Sequence, residues 1–140
     1  MLFRSYLGNL NAKRDWGYAP EYVEGMFRIM QFKNPDDFVL GTGESHSVKE
    51  FVIEAFKYAG LNYKNKVVID PRYFRPVEVV NLIADTRKAR NILKWQPKIN
   101  FKDLVRIMVD SDMRALGLKV IGEGDRILKK KFPNKWWKVD

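Results

Sequence analysis

Residues 47–60 constrain the chain most, because both ends of the segment carry residues that dictate a helix. Ser47 and Glu50 stand three apart, the spacing at which a cap hydroxyl accepts the N–H of Glu50 and the carboxylate answers the cap's own N–H. Val48, Phe51, Val52, Ala55, Phe56 and Ala59 then recur at three and four, giving one apolar face, and Gly60 stands where a left-handed cap is wanted. Ahead of this helix, Phe38, Val39 and Leu40 form an apolar run that ends at Gly41-Thr42-Gly43 and reads as a buried strand entering a turn. A second β-branched run, Val67, Val68 and Ile69, ends at Asp70-Pro71. Short strands alternating with capped amphipathic helices predict an α/β fold.

Three further helices are expected. Tyr22, Val23, Met26, Phe27 and Met30 share a helical face behind Pro20, which suits a first turn. Asp85 or Thr86 can cap a short helix carrying Ala89, Ile92 and Leu93, which Pro97 prevents from continuing. Asn100 opens a longer one on Leu104, Val105, Met108 and Val109, ending near Gly117. The first dozen residues, broken by Gly8-Asn9 and Asn11, read as extended or looped. Residues 122–140 show neither helical nor strand period and are expected to be a basic tail with Trp136 and Trp137, beyond a body spanning 1–121.

A chain of 140 residues suffices for one ordinary domain, and 46% apolar with 31% charged residues is a globular balance. The absence of cysteine excludes disulfides, thiolate metal sites and a cysteine nucleophile, and His46, the one histidine, cannot build a zinc site alone. With no apolar run of about eighteen residues and no signal-peptide pattern, the expected location is cytoplasmic, without membrane contact. A net charge of +9 favours anionic partners.

Two clusters can hold a phosphate: residues 13–17, KRDWG, and residues 71–79, PRYFRPVEV, which supply Lys13, Arg14, Arg72 and Arg75 beside aromatic rings. Guanidinium forks grip phosphate oxygens in pairs, and Glu78 can accept from ribose hydroxyls. The alternative is that these arginines pack on Trp16, Tyr73 and Phe74 or pair with Asp15, Asp70 and Glu78. Gly41-Thr42-Gly43-Glu44-Ser45 lacks the spacing of a phosphate loop and is expected to be a tight turn. His46 is expected to be a solvated turn histidine rather than a base. Lys129, Lys130 and Lys131 with the nearby tryptophans offer an alternative role, nucleic-acid or other anionic binding, although no reader motif accompanies them.

Residues 7–26, 38–51, 70–79 and 85–112 resemble, in this order, segments of GDP-mannose 4,6-dehydratases, extended short-chain dehydrogenase/reductases of the NAD-dependent epimerase/dehydratase family. The resemblance implies the C-terminal part of that fold, an edge strand plus a small, mostly helical substrate lobe, with the Rossmann half absent. It implies an intact family protein that uses NADP to oxidise mannose at C4, eliminate water across C5 and C6 and return hydride at C6, giving GDP-4-keto-6-deoxymannose. None of the six tyrosines here is followed four residues later by lysine, and no Gly-rich cofactor fingerprint is present. The chain alone is therefore expected to hold no cofactor, carry no catalytic residue and be inactive. The resemblance places Arg14 and Arg75 at the GDP moiety and its pyrophosphate, Glu78 at the ribose, and Lys13 and Tyr73 beside them. Tyr18 departs from the pattern, where the family often has histidine. GDP-mannose or GDP is the expected ligand, and either self-association or a partner bearing the Rossmann half is expected.

Overall fold

The first strand, β1 (Ser5–Leu7), pairs in parallel with a strand more than sixty residues away, β4 (Val67–Ile69), in the register Ser5 to Val67 and Leu7 to Ile69. The computed structural model describes residues 4–75, 77, 79 and 81–134. Between those strands lies a second, antiparallel pair, β2 (Lys13–Arg14) and β3 (His46–Ser47), in which Lys13 faces Ser47 and Arg14 faces His46. Strand β4 is the β-branched run expected at residues 67–69, whereas β1, β2 and β3 form in segments read as extended, looped or turn, since pairs of two or three residues carry no readable period.

The helices are α1 (Ala19–Met30), α2 (Val48–Tyr58), α3 (Arg87–Ile92), α4 (Phe101–Ala115) and α5 (Glu123–Lys131). The expected capping box is formed. Ser47 Oγ accepts from Glu50 N at 3.1 Å, and Glu50 accepts from Ser47 N. Asn100 Oδ1 likewise accepts from Asp103 N at 2.9 Å to start α4. At the head of α3 the Asp85 carboxylate takes Arg87 N at 3.1 Å, while Thr86 occupies the cap position without a side-chain bond. Gly60 and Gly117 follow α2 and α4 at φ of 72° and 69°, where a Cβ would strain the backbone.

Helix α4 is the centre of the packing. Ile99, Leu104 and Ile107 meet Leu128 and Phe132 of the α5 region, with Trp16 and Tyr18 closing one side. At about 1.5–3 kcal/mol for each large apolar side chain removed from water, this cluster is a main source of stability. A second cluster joins Ala89, Leu93 and Trp95 to Tyr22, Ile29, Phe32, Phe38 and Leu40. Glu21, buried in α1, links the two: its carboxylate accepts from Lys98 N and Ile99 N, and its backbone carbonyl accepts from Trp95 Nε1.

Two expectations need correction. Residues 38–40 are extended but join no ladder among the described residues, because no strand runs alongside them; Phe38 and Leu40 instead pack on the Trp95 cluster and Val39 is exposed. The stretch 122–134, without readable period, contains α5, which packs on α4. Its helix is anchored by the buried Asp110, whose carboxylate accepts from Gly122 N, Gly124 N and the Tyr58 hydroxyl. Trp136 and Trp137 lie outside the described residues. No described helix is long and apolar enough to cross a membrane.

Candidate functional site

The KRDWG and PRYFRPVEV segments, far apart in sequence, meet at the last residue of the second, Val79. Arg14 in β2 donates from Nη1 to Val79 O at 2.8 Å and to Lys13 O at 2.7 Å. Lys13 forms a parallel bridge with Asn81, and Leu82 N donates to Lys13 O at 3.3 Å. Asn81 is in turn joined to Ser45. Val79, Asn81 and Leu82 thus contact β2, which itself pairs with β3.

Asp15 holds this arrangement. Its carboxylate accepts from Thr42 N at 2.9 Å, Thr42 Oγ1 at 2.6 Å and Gly43 N at 2.9 Å, and from Ala84 N at 3.4 Å. A Cβ on Gly41 would stand 2.2 Å from Ala84 Cβ and 2.9 Å from Asp15 Oδ2, so glycine is required for the approach. The turn 41–43 is tight, as its spacing predicts, and its Thr42 and Gly43 N–H groups are spent on Asp15. They do not cradle a dinucleotide pyrophosphate, so this turn does not fit the NADP that the resemblance implies.

The basic residues separate by role. Arg72 is committed to Asp70 through Nε and Nη2, with a contact of 2.7 Å from Nη2 to Oδ2, and the guanidinium holds the Asp70 carboxyl below its ordinary range. Arg72 thus follows the structural alternative. Arg75 and Lys13 are exposed. Tyr73 is also exposed, and its backbone carbonyl lies so close to Gly8 that a Cβ there would stand 2.5 Å from it. Glu78 lies outside the described residues. Arg14, Lys13 and the start of the 79–82 segment are brought together; Tyr73 sits by β1, at the other end of its loop.

His46 differs from the solvated turn histidine expected. Its ring stacks on Phe101 with centroids 4.0 Å apart and planes 11° apart, because β3 carries it over the first turn of α4. Nε2 lies 3.6 Å from Glu44 and Nδ1 3.6 Å from Glu50. Its carbonyl accepts from Trp16 Nε1 at 3.0 Å. A cleft of about 520 Å³ opens beside it between α2 and α4, lined also by Glu54, Lys102, Asp103 and Arg106. Neither Asp15 as the turn's anchor nor the stacking of His46 on Phe101 was readable from spacing, since both rest on partners distant in sequence.

Among the described residues no group of three or more His, Cys, Asp or Glu side chains is placed to hold a metal ion. Of the lysine run, Lys131 is used within the molecule, bound to Asp103 Oδ2 and Lys98 O at 2.6 Å each.

The family model for GDP-mannose 4,6 dehydratase matches residues 3–108. GDP-mannose 4,6 dehydratase 1 of Arabidopsis thaliana is 54% identical over 108 residues, covering 77% of this chain and 30% of the relative. The GDP-mannose 4,6 dehydratase of Homo sapiens is 42% identical over 127 residues, covering 79% of this chain and 34% of the relative. The chain thus spans about a third of the length of these relatives. Among solved structures, that of RMD from Pseudomonas aeruginosa complexed with NADPH superposes with a TM-score of 0.68 at 17% identity, covering 81% of this chain and 36% of that one. The fold is therefore the C-terminal part of an extended short-chain dehydrogenase/reductase.

Proposed function

From a chain that belongs to the GDP-mannose 4,6-dehydratase family, we propose the GDP-sugar-binding portion of such an enzyme, with GDP-mannose or GDP as ligand. The observation that carries the reading is the joining of the two basic segments through Arg14 and Val79. In it, Arg14 and Arg75 face the pyrophosphate, Glu78 takes the ribose hydroxyls, and Lys13 and Tyr73 flank them. Guanidinium groups suit this role because their paired N–H donors match phosphate oxygens. The family's hydride chemistry, with NADP as the cofactor, then depends on residues that these 140 do not include, since no Tyr-x-x-x-Lys pair occurs among them.

The same reading includes association, with a second copy or with a partner bearing the Rossmann half. Val23, Met26, Phe27 and Met30 of α1 are exposed together at helical spacing, and the extended residues 38–40 present a backbone without a ladder. Open edges and uncovered apolar helix faces favour association. We place the protein in the cytoplasm.

The test is a calorimetric titration of the chain with GDP-mannose, with UDP-glucose and ADP as controls. Guanine-selective binding that weakens in Arg75→Ala supports the reading, and equal or absent binding of all three sinks it. Incubation with NADP and GDP-mannose should give no turnover.

A further inference from the structure

Tyr18 packs on Phe132 with ring centroids 6.0 Å apart and planes at 41°. Tyr18 stands at the head of α1, whereas Phe132 directly follows α5, beyond the residues that match the family model. A groove of about 340 Å³ between α4 and α5 has Tyr18 in its wall and is lined by the buried Ile107 and Leu128 and by the exposed Met108 and Asp112. Met108 is 44% exposed, so the groove keeps an uncovered apolar side. Arg114, at its edge, is bound to Asp125, which leaves Asp112 without an ion pair among the described residues.

The direction of the chain leads toward this groove. Helix α5 runs antiparallel to α4, with Gly124 against Arg106 and Lys131 bound to Asp103. Phe132 therefore stands near the start of α4, and the chain then bends at Pro133 and Asn134. Residues 135–140 read KWWKVD and lie outside the described residues. Six extended residues can reach about 20 Å, which covers the distance along α4 from its first turn to Asp112.

The spacing of side chains matches as well. Met108 and Asp112, four apart, share one side of α4. In an extended segment residues two apart share one face, so Trp136 goes with Lys138 and Lys135 with Trp137. Four residues of helix and two of extended chain both advance roughly 6–7 Å. A chain running from Phe132 past Met108 to Asp112 meets the apolar wall first and the carboxylate second, the order of Trp136 and Lys138. Indole rings pack well on aromatic rings and on thioether sulfur, and the lysine supplies the opposite charge.

We propose that the groove between α4 and α5 is the docking site of residues 135–140 of the same chain, with the Trp136 indole against Tyr18 and Met108 and Lys138 at Asp112. The docking fastens this segment to the head of α1. It involves no nucleotide, so its outcome leaves the proposed function untouched.

The experiment uses the full chain with labelled methionine methyl groups, of which Met108 supplies one of five. The Met108 methyl signal should be displaced by the indole ring current and should show a nuclear Overhauser contact to Trp136. Trp136→Ala should remove both effects and Trp137→Ala should leave both in place. Asp112→Asn should weaken the contact, more at low salt than at high salt, because the pair lies at the surface. None of these variants alters a buried residue, and the contact in the parent chain is read without any variant. A Met108 methyl that contacts neither indole, or one that loses its contact equally in Trp137→Ala, would overturn the proposal. So would indole contacts to Ile53 and Phe101 in the cleft beside His46, or contacts seen only between labelled and unlabelled copies, which would make a second chain the occupant.

Discussion

Arg14 reaches across 65 residues of sequence to donate to the carbonyl of Val79 at 2.8 Å. One guanidinium thereby serves the framework, while Arg75, also assigned to the ligand, lies exposed. The two arginines should therefore fail differently. Arg75→Ala should weaken GDP-mannose binding roughly tenfold or more, the scale of a lost charged hydrogen bond, with an unchanged urea midpoint. Arg14→Ala should weaken binding and also lower the midpoint. Equal stability losses in both would contradict this division of roles.

Asp15→Ala should cost about 2–3 kcal/mol, because it leaves Thr42 N, Thr42 Oγ1 and Gly43 N without their charged acceptor. Urea unfolding measures the loss, and amide exchange should accelerate first at Thr42 and Gly43. A variant as stable as the parent would show that another group takes over the turn.

Gly124→Ala should be far worse than an exposed helix substitution. The added Cβ would stand 2.7 Å from the Arg106 carbonyl oxygen and from Ile107 Cα, forcing α5 away from α4. Overpacking of this kind costs about 1–3 kcal/mol. Thermal unfolding is the readout, with Gly60→Ala as a control that meets no atom within 4 Å but carries the strain of a φ of 72°.

Glu21 sets a pH dependence of known sign. Burial raises its pKa above 4.5, against the lowering effect of the Lys98 and Ile99 N–H groups. The folded chain thus holds this proton more tightly than the unfolded chain, and stability falls as the pH rises from about 4.5 through the raised folded value. Glu21→Gln removes that slope, so stability measured from pH 4 to 7 should diverge between parent and variant as the pH rises, the parent losing ground. A constant difference would refute the account.

The elements legible in the sequence are those whose causes are local. Ser47 with Glu50, Asn100 with Asp103, and the glycines at 60 and 117 act within one helical turn, so spacing alone revealed α2 and α4. Helix α5 was hidden because Gly122 and Gly124 resemble breakers; Gly124 is in fact small so that α4 can come close, which only the packing discloses. Residues 38–40 carried strand composition, but a strand needs a neighbour to pair with. The basic segments were recognisable as motifs, whereas Asp15 as the turn's anchor and the Arg14–Val79 contact depend on partners 27 and 65 residues away.

The β1–β4 pair has a kinetic consequence. Three residues on each side close a loop of roughly sixty, and closure entropy grows with loop length while an isolated two-stranded ladder gains little. This clasp should be the last part of the fold to fasten and the first to open. Since the Tyr73 carbonyl rests on Gly8, directly beyond β1, each opening also frees the start of the arginine-bearing loop. The exposed residues of that loop, Tyr73 and Arg75 among them, would then keep their position only as long as six residues stay paired.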